Sequence, residues 1–479
     1  MSAIVEKWRK MPQTVKASSA YTVCSILQKC ISFITMPFFM RMLTTEQFGE
    51  VTLYGTWSGI ITIFLTLNLA YGSFATAMVK FENDRDGYIS SVQGISIYLS
   101  LVFLVIYLPL RDSFNVVFEL PTPIILLMIA EIITLNSWML WSGKKRFEYK
   151  WKSIVALTLV NSLLSPILAF IIVLNTEQRG LGRIYGFAIP GIVIGLVLFA
   201  INAVRGKKTL NKEYWEYALR FNIPLIAYYL SQIIFNMSDR IMISHIIDTD
   251  AAGVYGAAYT LAMILTFVLN AINNSYEPWF FSQLKAGKHD ENRSVSLAIA
   301  LLMSLLLCAI IWFAPEVIFI YAGDQYDGAV YVVLPVAMSL LLLFYSQLFI
   351  NVEFYYERKK ELVWASIGSA VINIVLNWFL IPRYGIVAAG YTTFVSYIVF
   401  VFCNYLAMKK ILKQENVKDD MFDYKKLILL LVAFCIISAT GALLYSFLWI
   451  RIVVAAAVLT AMIIKRNYFI DMYRKIKGK

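Results

Sequence analysis

The sequence predicts an all-α, polytopic membrane protein of about fourteen transmembrane helices. Two parallel six-helix bundles surround a central cavity, and two further helices follow at the C-terminus. Three observations predict it. The 479 residues are 60% hydrophobic and only 15% charged, where soluble domains run at about 45–50% and about 25%. The basic residues alternate between loops as one particular count of spans requires. A short hairpin motif recurs halfway along the chain.

A helix crosses a bilayer with about 20 mostly apolar residues. In chain order the first six candidate spans lie at 18–40, 48–79, 89–110, 121–142, 153–174 and 181–204. The next six lie at 218–246, 251–283, 294–321, 329–356, 362–381 and 385–408, and the last two at 427–448 and 451–467. The longer runs are expected to include interfacial turns. Lys7, Arg9, Lys10 and Lys16 precede the first run, with no small-residue cleavage site after a short apolar core, so an uncleaved first helix is expected.

Lysine and arginine favour cytoplasmic loops. With the N-terminus inside, 34 of the 42 basic residues fall on cytoplasmic segments and six on outer loops; Lys29 and Arg240 remain within spans. A wrong number of spans would scramble this alternation, so both termini are expected on the cytoplasmic side. The net charge of +12 is thereby spread over eight cytoplasmic segments, which anionic headgroups explain and nucleic acid does not. The outer loops hold roughly 5–12 residues each, too few for an external catalytic domain. Cys24, Cys30, Cys308, Cys403 and Cys435 all lie in apolar segments without a paired spacing, and His245 and His289 are far apart, so neither a disulfide, a metal site nor a cofactor is expected.

The repeat pairs "RMLTTEQFGEVTLYGTW", from Arg41, with "HIIDTDAAGVYGAAYTL", from His245; "LIPRYGIVAAGYTTF", from Leu380, is a looser relative. Each main copy closes a span at the outer face, turns on a Thr and an acid, and opens the next span at Gly49 or Gly253. Both run in the same direction, as in transporters whose halves are related by an axis along the membrane normal. The expected division is 1–208, 209–412 and a C-terminal extension over 413–479.

Four ordered stretches carry a resemblance: "MPFFMRMLTTEQFGEVTLY" at Met36, "LNLAYGSFATAMVKF" at Leu67, "NIPLIAYYLSQIIFNMSDR" at Asn222 continuing to "SYEPWFFSQL" at Ser275, and "INIVLNWFLIPRYGIVAAGYTTFVSYI" at Ile372. The chain resembles the polysaccharide-unit (Wzx-type) flippases of the multidrug, oligosaccharidyl-lipid and polysaccharide exporter superfamily. The resemblance implies a flippase, not an enzyme. Its cargo would be an undecaprenyl-pyrophosphate-linked oligosaccharide of O-antigen, capsule or exopolysaccharide type, moved from the cytoplasmic to the outer leaflet of a bacterial plasma (inner) membrane by alternating access. Ion coupling, such as antiport with a proton or sodium ion, is expected. The surroundings would include membrane lipids and other polysaccharide-assembly proteins. Related lipid flippases carry an Asp-Arg pair where Asp239 and Arg240 stand and a basic residue in the first span, which Lys29 would match. Their last two helices are thought to form a lipid-tail groove, a role that 427–467 could take.

A charge at the bilayer centre costs about 2.5–3.5 kcal/mol on insertion scales, and such residues face the protein interior or a wet cavity. Lys29 lies about eleven residues from either end of its span, roughly 16 Å, far for snorkelling. It is read either as a snorkelling lysine or as a cavity cation. Arg240 shares a helix face with Asn236 and Ser244, and it is read either as an orienting ion pair or as an anion contact. Lys29, Arg240 and Asn236 are the candidate substrate-binding residues. Asp239 points about 100° away from Arg240 and is expected to lock against a neighbouring span. Glu131 and Glu277 join Asp239 as structural or coupling acids; each carries either a coupling proton or a salt bridge to Lys29 or Arg240. Pro278 after Glu277 predicts a helix break there. Glu353 and Glu357 read as interfacial. Pro37, Pro166, Pro190, Pro224, Pro315 and Pro335 are candidate bends.

Two other functions compete. A multidrug exporter of the same superfamily would have twelve spans and bind organic cations through acids, which the two extra helices and the basic Lys29 and Arg240 oppose. A membrane polysaccharide polymerase or ligase would carry a large outer loop.

Overall fold

A computed structural model of the chain describes residues 12–287, 289–358, 360–417 and 421–464. The basic residues of the N-terminal segment before Pro12 and of 465–479 lie outside these. Among the described residues there are helices and turns and no strand. The helices are α1 Gln13–Met42, α2 Thr45–Thr66, α3 Phe74–Lys80, α4 Arg85–Tyr107, α5 Arg111–Phe118, α6 Thr122–Phe147, α7 Trp151–Leu174, α8 Arg179–Gly206 and α9 Lys212–Ile246. There follow α10 Thr249–Ala286, α11 His289–Trp312, α12 Ala314–Tyr321, α13 Val330–Tyr355, α14 Lys360–Tyr384, α15 Ile386–Gln414, α16 Tyr424–Leu443 and α17 Leu448–Ile464.

Twelve of these helices are long and apolar enough to cross a membrane. Of the fourteen segments read from the sequence, the other two are α2, which carries Glu46, Glu50 and several threonines, and α17, which is shorter. The protein is a multi-pass membrane protein of all-helical fold. Two expected spans are broken. The run 48–79 becomes α2 and α3 around a turn in which Leu67 and Asn68 take left-handed backbone (φ 48° and 49°). The run 294–321 breaks at Phe313, and Pro315 enters the first turn of α12, where its missing N–H is harmless. The break expected at Pro278 is absent: α10 continues through it to Ala286. Pro37, Pro166, Pro190, Pro224 and Pro335 likewise lie inside continuous helices, since neighbouring helices can satisfy the freed carbonyls.

The helices form two compact units, Met1–Met237 and Ser238–Lys479, the boundary falling inside α9. In the first, α8 packs against α7, α6, α4 and α2. Glycines permit this approach: a Cβ on Gly186 would stand 2.1 Å from the Ala169 Cα, and one on Gly195 would stand 2.5 Å from the Thr134 Cβ. In the second, α13 is the most buried span and packs against α15, α10 and α11. There Gly390 lets α15 lie on Pro335. The α16–α17 pair is fastened to the same unit. Arg451, 1% exposed, forms a bidentate ion pair with Glu316 (2.7 and 2.6 Å) and donates to the Trp312 and Tyr445 carbonyls.

The repeated hairpins have matching starts. Thr44 caps α2 by accepting from the Gln47 N–H (3.2 Å), with Gln47 accepting from Thr44 in return. At the corresponding position of the second copy Asp248 caps α10, accepting from the Ala251 N–H at 2.7 Å.

Candidate functional site

The most concentrated polar cluster within the membrane-spanning helices surrounds Asp239. Its carboxylate is 1% exposed and accepts three hydrogen bonds from three helices. Tyr255 Oη of α10, Asn377 Nδ2 of α14 and Thr393 Oγ1 of α15 all donate at 2.7 Å. Behind them, Asn377 also donates to Asn373 Oδ1 (3.2 Å) and Asn373 to Thr393 Oγ1 (3.3 Å), while Thr392 donates to Asn377 Oδ1. The sequence arranges this simply. Asn373 and Asn377 are one turn apart on α14 and share its face. Thr392 and Thr393 follow Gly385, where positive φ (67°) turns the chain into α15. Buried polar groups require such partners, and here the requirement is met within the unit. The carboxylate thus faces N–H and O–H donors, and the Asn377 amide oxygen is turned away from it to accept from Thr392. Among the described residues no group of three or more His, Cys, Asp or Glu could hold a metal.

Arg240 points elsewhere. Its guanidinium carbon lies 4.3 Å from the Tyr259 ring centroid, a close cation–π contact. Tyr255 and Tyr259 are one turn apart on α10, so a single face of that helix receives both charges: Tyr255 the acid, Tyr259 the base. Asn236, one turn before Arg240, is half-buried and donates to the Gln232 carbonyl at 2.7 Å. Ser244, one turn after, is buried beside Thr249.

Lys29 is exposed on α1, flanked by exposed Ile26 and Phe33. Glu131 of α6 is half-buried and accepts a short hydrogen bond from Tyr54 Oη of α2. Glu277 is half-buried on α10 beside buried Tyr276. Among the described residues Lys29, Glu131 and Glu277 make no ion pair within their own units. The interfacial reading of Glu353 is also corrected: its side chain is fully buried in α13, and neither carboxyl oxygen has a hydrogen-bond partner. Glu357 is exposed.

The first unit holds a cavity of about 480 Å³, bounded by α2, α6, the turn after α2 and Ile233 of α9. Ser58, Thr62, Thr66, Asn68, Tyr71 and Asn136 are its polar lining, and none of the lining residues is charged.

Sequence reasoning missed Tyr255, Asn373, Asn377, Thr392 and Thr393. The signal was present: two asparagines at helical spacing in "INIVLNWF", and two threonines in "GYTTF". It also did not single out Arg451, the first residue of the last expected span, or its partner Glu316.

Comparisons with known proteins fit this architecture. The family described as "Polysaccharide biosynthesis protein" matches residues 14–285, and the MatE family matches 224–379. An uncharacterized membrane protein of Haemophilus influenzae strain Rd is 24% identical over 381 residues, 75% of this chain and 88% of that one. A protein of the Lsg locus of the same organism is 22% identical over 382 residues, 75% of this chain and 89% of its own length. In fold, the chain is similar to the lipid II flippase MurJ in an inward closed conformation, with a TM-score of 0.72 over 94% of this chain and 99% of that one at 13% identity. It is also similar to an inward-facing multidrug resistance MATE transporter of the MOP superfamily, with a TM-score of 0.65 over 84% of this chain and all of that one, again at 13% identity.

Proposed function

We propose, because the chain belongs to the polysaccharide biosynthesis protein family, that it is a flippase for an undecaprenyl-pyrophosphate-linked oligosaccharide. It carries the repeat unit from the cytoplasmic to the outer leaflet of a bacterial inner membrane by alternating access, with both termini cytoplasmic. The observation that most supports this reading is the extent of fold shared with a lipid II flippase. That likeness spans 94% of the chain, against 84% for a multidrug transporter whose whole length is matched. The excess is the size of a helix pair such as α16–α17, an addition that serves a lipid-linked cargo better than a small organic cation.

The roles follow from the chemistry of the groups. Arg240 offers two parallel N–H donors to a pyrophosphate, with Asn236 beside it and Lys29 as a second cation. Asp239 takes the coupling cation, a proton or a sodium ion, with the hydroxyl oxygens of Tyr255 and Thr393 beside it. Exchange of that cation would loosen or tighten α9 against α10, α14 and α15, and so bias one conformation over another. Glu131 and Glu277 are secondary candidates for coupling.

Deletion of the gene tests the assignment. Lipid-linked repeat units should accumulate on the cytoplasmic leaflet and surface polysaccharide should disappear. Normal polysaccharide accompanied by new sensitivity to organic cations would favour a multidrug exporter instead.

A further inference from the structure

The uncharged cavity of the first unit has a property that a pyrophosphate site would not. Gly55, Ser58, Gly59, Thr62 and Thr66 recur at helical spacing and turn one face of α2 to the space. The threonine hydroxyl hydrogens are already used: Thr62 donates to the Ser58 carbonyl (2.6 Å) and Thr66 to the Thr62 carbonyl (2.7 Å). On the facing helix, Asn136 is 4% exposed and donates through Nδ2 to Ser96 Oγ (2.8 Å). Among the described residues no donor reaches its Oδ1, which leaves that oxygen available to the cavity that Asn136 lines. The wall thus offers acceptor oxygens alongside the hydroxyl and amide donors of Ser58, Asn68 and Tyr71, and it has no cation. Tyr71, 59% exposed, stands at its edge beside the turn that breaks the helix. Irregular backbone at membrane depth occurs where it is buried in protein or lines a wet cavity. The volume of about 480 Å³ is in the range of small-ligand pockets.

We infer that this wall holds the sugar part of the cargo and selects uncharged sugars over sugars bearing carboxylates. Hydroxyl and N-acetyl N–H groups can donate to the oxygens of Thr62, Thr66 and Asn136, and the Tyr71 ring offers a face for a pyranose. A uronate in the same place brings a desolvated charge with no cation in the wall to pair it. The inference rests on the flippase reading and gives its sugar class.

The test uses the full-length protein in nanodiscs with three ligands: undecaprenyl pyrophosphate alone, the same lipid carrying N-acetylglucosamine, and the same lipid carrying glucuronic acid. The wild type should bind the N-acetylglucosamine lipid about tenfold more tightly than the glucuronic acid lipid, the effect of about one well-placed hydrogen bond. Gly55→Leu should abolish that preference and leave binding of the sugar-free lipid within about twofold. A Cβ at Gly55 meets no atom within 4 Å, so the leucine fills the cavity without displacing its surroundings. Asn136→Leu should weaken the preference in the same direction. An undiminished preference in Gly55→Leu, or no discrimination by the wild type, overturns the inference while leaving the flippase reading intact. A wild type that binds none of the three lipids overturns both.

Discussion

Glu131 of the first unit and Asp239 of the second are both acids on membrane-crossing helices, but their surroundings differ. Glu131 has one hydrogen-bond partner, Tyr54, and is half-buried. Asp239 has three, each from a different helix, and is sealed from any surface. Burial of a charge is tolerated only with partners, so the acid with more partners is the one whose removal does more damage. The difference teaches that the second unit has committed four helices to one carboxylate, whereas the first keeps its acid on helices that also border an uncharged cavity.

This comparison can be broken most readily at Asp239. Asp239→Ala should lower stability by about 3–5 kcal/mol, since three buried donors lose their acceptor together, and thermal unfolding in detergent measures it. The next largest effect is expected at the other buried charge of the second unit. Glu316→Ala leaves Arg451 buried without its carboxylate, at a cost of about 3 kcal/mol. The loss should appear as faster hydrogen exchange confined to α16 and α17. The same contact predicts a pH effect. Hydrogen bonds from Arg451 outweigh burial and hold the Glu316 carboxyl below its ordinary range. Its contribution is therefore complete above the usual carboxylate pKa and is lost as pH falls through the lowered one, so exchange in α16–α17 should quicken only in acid.

Glu131→Gln should cost only about 1 kcal/mol, because one hydrogen bond is weakened and no charge is stranded. If it destabilises as much as Asp239→Ala in the same melting assay, the contrast between the units fails. The smallest effect is expected at Glu148, beyond the end of α6. Partial burial raises its pKa, but hydrogen bonds from Lys150 and Lys145 and the charge of Lys144 outweigh this and bring it to about 2. Stability from this cluster is complete above the ordinary carboxylate pKa and is lost progressively as pH falls from there through about 2. Lys150, the exposed member of the cluster, also makes it sensitive to salt. Glu148→Gln should consequently remove most of the salt dependence of local exchange at the α6–α7 turn, with little change in melting temperature.

Much of the fold was legible because hydropathy and charge alternation act over whole helices. The fourteen segments and the recurring hairpin at Thr44 and Asp248 were readable in this way. The breaks were less so. A turn at Leu67–Ser73 inside a continuous apolar run leaves no mark in hydropathy, although "NLAYGS" contains the residues that allow it. Conversely, Pro278 looked like a break and is carried within α10, because neighbouring helices decide whether a proline interrupts. Within one helix the spacing was informative: Asp239 and Arg240 have different partners, Tyr255 and Tyr259, although these two share one face of α10. The site was not legible where partners come from distant helices. Nothing local to Asn377, Thr393 or Tyr255 says that all three meet at one carboxylate, and nothing local to Arg451 says that Glu316 awaits it.

Transbilayer movement of an undecaprenyl-pyrophosphate-linked oligosaccharide by the purified protein in proteoliposomes tests the flippase account most directly. The wild type should move the lipid across the bilayer. Arg240→Ala should slow the movement at least about tenfold, as expected for loss of a charge-assisted contact, while melting within a few degrees of the wild type. Equal rates for the two proteins would remove Arg240 from the site, and no movement by the wild type would contradict the account as a whole.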